Sequence, residues 1–206
     1  MAQFERLDLR KQLKQFYTAK AAPVAVDLPA MSYLMVDGQG DPNTSPDYAA
    51  AIGALYGVSF TLKFSFKRGP ERIDYSVMPL EGLWWADDMA SFAAGDREKW
   101  HWTAMIMQPD FVKQAHVNVA IAAVKQKRPN EMLAKLRLER FAEGCAAQLL
   151  HVGPYSTEAP NITRLHAFIR EQGGKLRGRH HEIYLSDPRR VAPERLKTII
   201  RQPFAA

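Results

Sequence analysis

The chain has 206 residues, of which 47% are hydrophobic and 24% charged, and its formal net charge is +6. This composition is typical of a folded globular protein and excludes a disordered or fibrous chain. No apolar run approaches the roughly 20 residues that cross a bilayer, and the charged N-terminus is unlike a signal peptide, so we expect a cytoplasmic protein without a membrane partner.

The basic residues are dispersed and form no nucleic-acid signature. They gather near three predicted helix ends, where cations favour the helix dipole, at Lys11–Lys20, Lys125–Arg128 and Lys175–Arg179. Neither a basic stripe interleaved with aromatic residues nor a zinc-finger spacing accompanies them. We therefore predict a mildly basic solvated surface and no direct binding of nucleic acid.

Apolar periodicity predicts helices and strands along the first half of the chain. The predicted elements are, in order, a short charged helix over 6–17, strands over 23–27 and 31–36 that meet at a tight turn, a helix that follows the turn-and-cap sequence 41–46, and strands over 73–80 and 100–107. Residues 1–22 are expected to form a helical extension ahead of the main domain.

The second half of the chain repeats that order. Its predicted elements are a helix that starts after 108–110 and stops at Pro129, a hairpin of 136–141 and 145–152, a helix that begins at 156–160, a strand over 180–185, and a last helix from Pro193 that carries Leu196, Ile199 and Ile200.

An internal duplication explains the recurrence. Superimposing Gly38 on Gly153 also brings Leu34 onto Leu149, and each half then consists of a hairpin, a helix and a strand. Two such halves joined edge to edge give an α+β fold, a curved antiparallel sheet with helices on one face and a ligand groove on the other. We expect one domain over 23–206, made of halves 23–107 and 108–206.

The strand predicted at 180–185 places a carboxyl group beside a phenol. Side chains alternate along a strand, so His180, Glu182 and Tyr184 share one face, and the opposite face is largely apolar. If that apolar face lies under the helices, Glu182 and Tyr184 point into the uncovered groove. Exclusion of water by aromatic walls raises the pKa of a carboxyl group, which suits a general base or a partner for a cationic ligand. The alternative is a glutamate that faces solvent on an exposed sheet.

Tryptophan residues supply candidate walls for the groove. They occur in two pairs, Trp84 with Trp85 and Trp100 with Trp102, and core packing is the ordinary role of each. Because the open face of the sheet has no second core, we predict that Trp84 and Trp102 contact the ligand.

Two tyrosines are further candidates. The turn 153–155 ends in Tyr155, whose ring is predicted to reach over the groove unless it packs on the start of the next helix. Tyr75 lies in a predicted strand, and the sequence leaves its facing open.

Other chemistry finds little support in the sequence. His180 and His181 are neighbours on opposite faces of a strand, so they cannot bind one metal ion together. No glycine-rich phosphate loop or nucleophile elbow is present. We therefore expect neither a metal nor a cofactor, and no hydrolysis through a serine or cysteine nucleophile.

Five segments together resemble a known family. They are Leu150–Tyr155, His181–Pro188, Asp37–Pro42, Met78–Trp85 and Trp102–Pro109. The first two are similar to the C-terminal half of GyrI-like proteins, and the others resemble the free-standing subgroup of that family. The resemblance extends over nearly the whole chain from about Pro23.

The resemblance implies a duplicated strand-helix-strand-strand module, which is shared with effector-binding domains of drug-responsive transcription regulators. In those domains a glutamate at the position of Glu182 lies at the bottom of an aromatic pocket for lipophilic cations. Free-standing relatives include cyclopropanoid hydrolases, which open the strained ring of certain DNA-alkylating natural products, and others that inhibit DNA gyrase.

Three functional hypotheses follow. In the first, Glu182 takes a proton from a water molecule that Tyr155 or Tyr184 positions, the water opens a cyclopropane ring, and His180 helps to bind the ligand. In the second, the same pocket only binds or sequesters hydrophobic or cationic compounds. The third is a gyrase-inhibitor-like protein interaction, although the charge of +6 argues against an inhibitor that mimics DNA. An oligomer is compatible with each hypothesis.

Overall fold

The computed structural model describes residues 5–87 and 96–205, which form eleven strands and five α-helices. The strands are β1 (Glu5–Leu7), β2 (Val24–Leu28), β3 (Met31–Gln39), β4 (Ile73–Tyr75), β5 (Leu80–Trp85), β6 (His101–Gln108), β7 (Arg137–Phe141), β8 (Gly144–Val152), β9 (Lys175–Leu176), β10 (His180–Tyr184) and β11 (Lys197–Ala205). The helices are α1 (Leu9–Gln12), α2 (Lys14–Tyr17), α3 (Pro46–Arg68), α4 (Gln114–Lys127) and α5 (Ala159–Glu171).

The described residues divide into two compact units, each assembled from three stretches of chain. The first unit takes the described residues within 1–12, 31–78 and 85–141, and the second takes those within 13–30, 79–84 and 142–206. Both combine helices with antiparallel strands, which confirms the predicted α+β class.

In the first unit, β3 lies between β6 and β7 and pairs antiparallel with both. Helix α3 begins where the Ser45 hydroxyl accepts a hydrogen bond from the backbone N–H of Tyr48 at 3.3 Å, with Pro46 in the first turn. By length and composition alone, α3 is apolar enough to span a membrane. Its buried side, which includes Leu55 and Leu62, packs on β3, β6 and α4, as expected of a core helix.

In the second unit, the strands follow the order β2, β8, β11, β10, β5, and every neighbouring pair is antiparallel. Helix α5 covers one face, where Leu165 and Ile169 pack on Leu149 of β8 and Ile200 of β11. Because β10 lies between β11 and β5, its side chains alternate between the α5 face and the opposite face.

The two predicted hairpins are wrong, because their strands exchange partners. Strand β2 pairs with β8 rather than with β3, and β7 pairs with β3 rather than with β8. The short connections 29–30 and 142–143 therefore link strands that belong to different units. The exchange is reciprocal, and it places β2 in the second unit and β7 in the first.

Three further element predictions need correction. The predicted last helix is only a short turn at Pro193–Arg195 followed by β11, because a run rich in β-branched residues, Thr198-Ile199-Ile200, fits a central strand between β10 and β8. The single helix predicted over 6–17 is β1 followed by the two short helices α1 and α2. The strand predicted over 73–80 is β4, with β5 starting only at Leu80.

Candidate functional site

The side chains of His180, Glu182 and Tyr184 lie together on one face of β10, as the alternation of side chains along a strand predicts. The hydroxyl group of Tyr184 donates to Glu182 Oε2 at 2.7 Å, and His180 Nε2 lies 3.2 Å from Glu182 Oε1. Both carboxylate oxygens of Glu182 therefore have a partner. The Glu182 side chain is 15% exposed, so it is neither sealed in the core nor free in solvent.

The direction in which this face points differs from the prediction. Glu182 pairs with Ile200 of β11, and Ile200 pairs with Leu149 of β8. Directly paired residues of antiparallel strands project to the same side, and Leu149 and Ile200 contact α5. Glu182 therefore lies on the face that α5 covers, and the expectation that it points away from the helices is wrong.

A second carboxyl group, that of Glu158, contacts Glu182 there, and it was not among the residues predicted from the sequence. Glu158 occupies the residue before α5, and its side chain caps no backbone N–H group. It is 4% exposed, and its carboxyl group lies against Glu182 and near the hydroxyl group of Thr198. Glu158 Oε1 and Thr198 Oγ1 are buried without a well-formed hydrogen bond. The signal available in the sequence was a glutamate at a capping position that favours Ser, Thr, Asp or Asn.

The two carboxyl groups have opposite pKa shifts. Burial, followed by the charge of Glu182, holds the pKa of Glu158 well above its ordinary range. Burial also disfavours ionisation of Glu182, but the hydrogen bond and charge of His180 and the hydrogen bond from Tyr184 outweigh it and lower its pKa. Two adjacent carboxyl groups with divergent pKa values share one proton. Burial of Glu158 and the hydrogen bonds to Glu182 therefore favour a proton on Glu158 and a negative charge on Glu182.

Aromatic rings border the carboxylate. The indole Nε1 of Trp84 donates to the Tyr184 hydroxyl at 3.1 Å, and the Tyr155 ring meets the Tyr184 ring edge to face with centroids 5.6 Å apart. Trp84 is 4% exposed and Tyr155 is 37% exposed, so Tyr155 forms the side of the cluster nearest to solvent. Burial, with the charge of Glu182, raises the pKa of Tyr155 to about 12, so Tyr155 keeps its proton and can donate a hydrogen bond.

Trp102 and Tyr75 lie inside the first unit, away from solvent. Trp102 is fully buried and packs edge to face on Tyr48, with ring centroids 5.0 Å apart. Tyr75 is 2% exposed and meets the rings of Phe66 and Phe111. The core role that is usual for aromatic residues therefore applies to both.

The opposite face of β10 carries a buried ionic network in place of the predicted apolar surface. His181 Nε2 lies 2.9 Å from Glu81 Oε2, and His181 Nδ1 lies 2.9 Å from Glu143 Oε1. Arg201 Nη1 donates to Glu143 Oε2 at 3.2 Å, and two other Arg201 N–H groups donate to Gln148 Oε1. His181 can therefore be fully buried, because both of its ring nitrogens have carboxylate partners.

Two residues of helix α2 also form hydrogen bonds with this network. The Tyr17 hydroxyl donates to Glu81 Oε1 at 2.7 Å, and the Phe16 carbonyl accepts from Arg201 Nη2 at 2.6 Å. Burial lowers the pKa of His181, but the charge and hydrogen bond of Glu143 outweigh it and hold this pKa above its ordinary value. Burial raises the pKa of Glu143, but the charges and hydrogen bonds of His181 and Arg201 outweigh burial and hold this pKa below its ordinary value.

Gly82 leaves the space that the aromatic side chains occupy. It pairs with Glu182 across β5 and β10, and a Cβ at this position would lie 2.7 Å from Trp84 Nε1 and 3.1 Å from the Tyr184 hydroxyl. Gly82→Ala must displace both groups, so we expect a loss of about 1–3 kcal/mol in the free energy of unfolding. Urea unfolding followed by tryptophan fluorescence measures the loss.

Gly53→Ala in α3 is the matched control. Its Cβ would meet only Asn130 Nδ2, at an ordinary 3.6 Å. Alanine inside a helix should stabilise the protein by about 0.5–1 kcal/mol. Equal effects of the two alanine substitutions would show that the space at Gly82 is not restricted by the aromatic cluster.

Among residues 5–87 and 96–205, no three His, Cys, Asp or Glu side chains are grouped so as to hold a metal ion. What the site offers is a carboxylate that can accept a proton, a protonated carboxyl group beside it, and phenol and indole groups that can contact a flat or cationic molecule.

Comparison with solved structures identifies close relatives. An uncharacterized conserved protein from Listeria innocua is 39% identical, with a TM-score of 0.89 over 97% of this chain and 100% of that one. A hydrolase from Listeria innocua is 37% identical, with a TM-score of 0.85 over 97% and 100% of the two chains. The C-terminal domain of EcmrR, at 13% identity and a TM-score of 0.56 over 89% and 96%, shares the fold alone.

Comparison with curated proteins gave no match. The family model for the GyrI-like small molecule binding domain matches residues 22–204, which include both carboxyl groups and the aromatic residues around them. The chain therefore belongs to the GyrI-like family.

Proposed function

We propose that this protein is a cytoplasmic hydrolase that adds water to strained, cyclopropane-containing electrophiles, with Glu182 as the general base. The similar Listeria innocua structure described as a hydrolase supports the reaction class. The observation that carries the proposal is the geometry of Glu182, a partly exposed carboxyl group that contacts Tyr184, His180 and the buried Glu158.

The reaction balances without a cofactor. The oxygen of water bonds to the ring methylene, the strained C–C bond breaks, and its electron pair moves into the conjugated dienone, which becomes a phenolate. Glu182 takes the proton from the attacking water and returns it to the phenolate through solvent. Ring strain supplies the driving force, so a base worth about 10²- to 10⁴-fold and good orientation suffice.

Each side chain has a distinct part in this scheme. Tyr184 and His180 fix the carboxylate by bonding one oxygen each, and Glu158 stays neutral so that a single negative charge faces the substrate. Tyr155, which keeps its proton and lies nearest to solvent, can donate to the attacking water or to the substrate.

A solvent-isotope experiment tests the proposal. A cyclopropane fused to a conjugated dienone is incubated with the protein in ¹⁸O-labelled water, and the products are analysed by mass spectrometry. We expect protein-dependent formation of a ring-opened alcohol that contains one ¹⁸O atom. Ring opening at the rate seen without protein would contradict the proposal.

A second candidate function is binding without turnover. The hydrogen bonds from Tyr184 and His180 stabilise Glu182 as an anion, which suits a permanent counter-charge for a lipophilic cation as well as it suits a base. Under this alternative, the same electrophile binds, but the ¹⁸O label stays in the solvent.

A further inference from the structure

The contact between the two carboxyl groups of Glu158 and Glu182 is an unusual charge arrangement. Glu158 is nearly fully buried, and its Oε1 is sealed from solvent without a well-formed hydrogen bond. Burial of an ionised carboxylate oxygen without such a bond is strongly unfavourable, whereas the neutral acid avoids most of that cost. Contact with Glu182 adds repulsion if both groups ionise. The geometry therefore favours one proton on Glu158 in the empty site.

A cation changes this balance. A positive charge that contacts the exposed edge of Glu182 lies close to Glu158 as well, so it stabilises the ionised form of both carboxyl groups. The rings of Tyr155 and Tyr184 provide aromatic surface for the apolar part of such a ligand. We propose that this carboxyl pair binds a lipophilic cation in exchange for the proton on Glu158. The proposal uses the same site as the proposed function but does not depend on hydrolysis.

Other titratable groups surround the pair. They are His180 and Tyr184 of β10, His151 of β8 through its pairing with Thr198, Tyr155 before α5, His166 of α5, whose pKa is lowered by burial and by His180, and Asp187, whose charge acts on Tyr155. Among these, His180 and Tyr184 contact Glu182 directly, at 3.2 Å and 2.7 Å. The experiment must therefore separate Glu158 from both.

Glu158→Gln makes that separation. The glutamine amide has the shape of a neutral carboxyl group and can donate to Glu182, but it has no proton to release. Titration calorimetry with benzyltrimethylammonium in phosphate and in Tris, whose ionisation enthalpies differ, measures the protons released on binding. We expect release approaching one proton for the wild type and close to none for the variant.

The affinity follows the same linkage. Because binding releases a proton, the affinity of the wild type should rise with pH, by up to about tenfold per unit, and that of Glu158→Gln should stay nearly flat. A measurement on the wild type alone gives a check if the variant fails to fold: the infrared band of a protonated carboxylic acid should disappear on addition of the cation.

Three results would overturn the proposal. The first is a binding enthalpy in the wild type that does not depend on the buffer. The second is equal proton release by the wild type and Glu158→Gln, which would assign the released proton to another group that contacts Glu182. The third is no binding of the cation at all. Failure of ring opening would leave this outcome unaffected, because the quaternary ammonium probe is not hydrolysed.

Discussion

Glu182→Gln should lower kcat for ring opening by about 10²- to 10⁴-fold, the usual contribution of a general base. Glutamine keeps the shape of the side chain and can still accept a hydrogen bond from Tyr184, so KM should change little. Steady-state kinetics with the cyclopropane substrate separates the two parameters. A loss in kcat at constant KM identifies an interaction made in the transition state.

The pH dependence gives an independent test of the same role. The pKa of Glu182 is lowered, so the base stays ionised as the pH falls through the ordinary value for glutamate, about 4.3. The acid limb of kcat/KM should therefore lie below that value in the wild type. A limb near neutral pH would assign the essential base to a different group.

Glu171→Gln is the matched control for this substitution. Glu171 is exposed at the last residue of α5 and belongs to the same unit as Glu182. We expect wild-type kinetics from it. Unchanged turnover in Glu182→Gln, measured beside this control, would remove Glu182 from the mechanism.

Local geometry explains which part of the site could be predicted from the sequence. The grouping of His180, Glu182 and Tyr184 depends only on the alternation of a strand, and the hydrogen bonds confirm it. The side to which that group points depends on how β8, β11 and α5 pack around β10, which local alternation does not determine. Apolar content was a poor guide to the covered face, because His181 is buried by charged partners on the other side.

Pairing between remote segments explains what was missed. Glu158 reaches Glu182 only because α5 packs over β11 and β8, and nothing in the residues around Glu158 records that contact. Trp102 is similar, since Gly38 lies opposite it on β3 and leaves the space that its ring fills. The exchange of strands between the two units could not be predicted either, because two strands joined by a short connection usually pair with each other as a hairpin.

Arg201→Met should destabilise the protein by about 3–5 kcal/mol, the usual cost of removing one partner from a buried ion pair. The Arg201 side chain is 1% exposed. Methionine fills part of its volume, but it leaves Gln148 Oε1 and the Phe16 carbonyl without these donors, and Glu143 with only His181. Urea unfolding at neutral pH measures the loss.

The control is an arginine ion pair near the surface. Arg137 contacts Asp37 and Glu139, but its side chain is 38% exposed, so Arg137→Met should cost less than about 1 kcal/mol. Similar losses of unfolding free energy for the two substitutions would mean that burial does not make the loss of Arg201 more destabilising than the loss of an exposed arginine.

The network also predicts how stability depends on pH. The pKa of His181 is raised, so its contribution is complete below about pH 6.5 and is lost as the pH rises through the folded-state value. The pKa of Glu143 is lowered, so its contribution is present above about pH 4.3 and is lost as the pH falls through its folded-state value. Arg201 favours the ionised form of Glu143 and opposes the charged form of His181. The difference in unfolding free energy between the wild type and Arg201→Met should therefore shrink as the pH falls through the folded-state pKa of Glu143, and should not shrink as the pH rises through that of His181. A difference that stays constant as the pH falls would show that Arg201 acts by packing alone, because only its coupling to Glu143 makes its contribution follow the protonation of that carboxyl group.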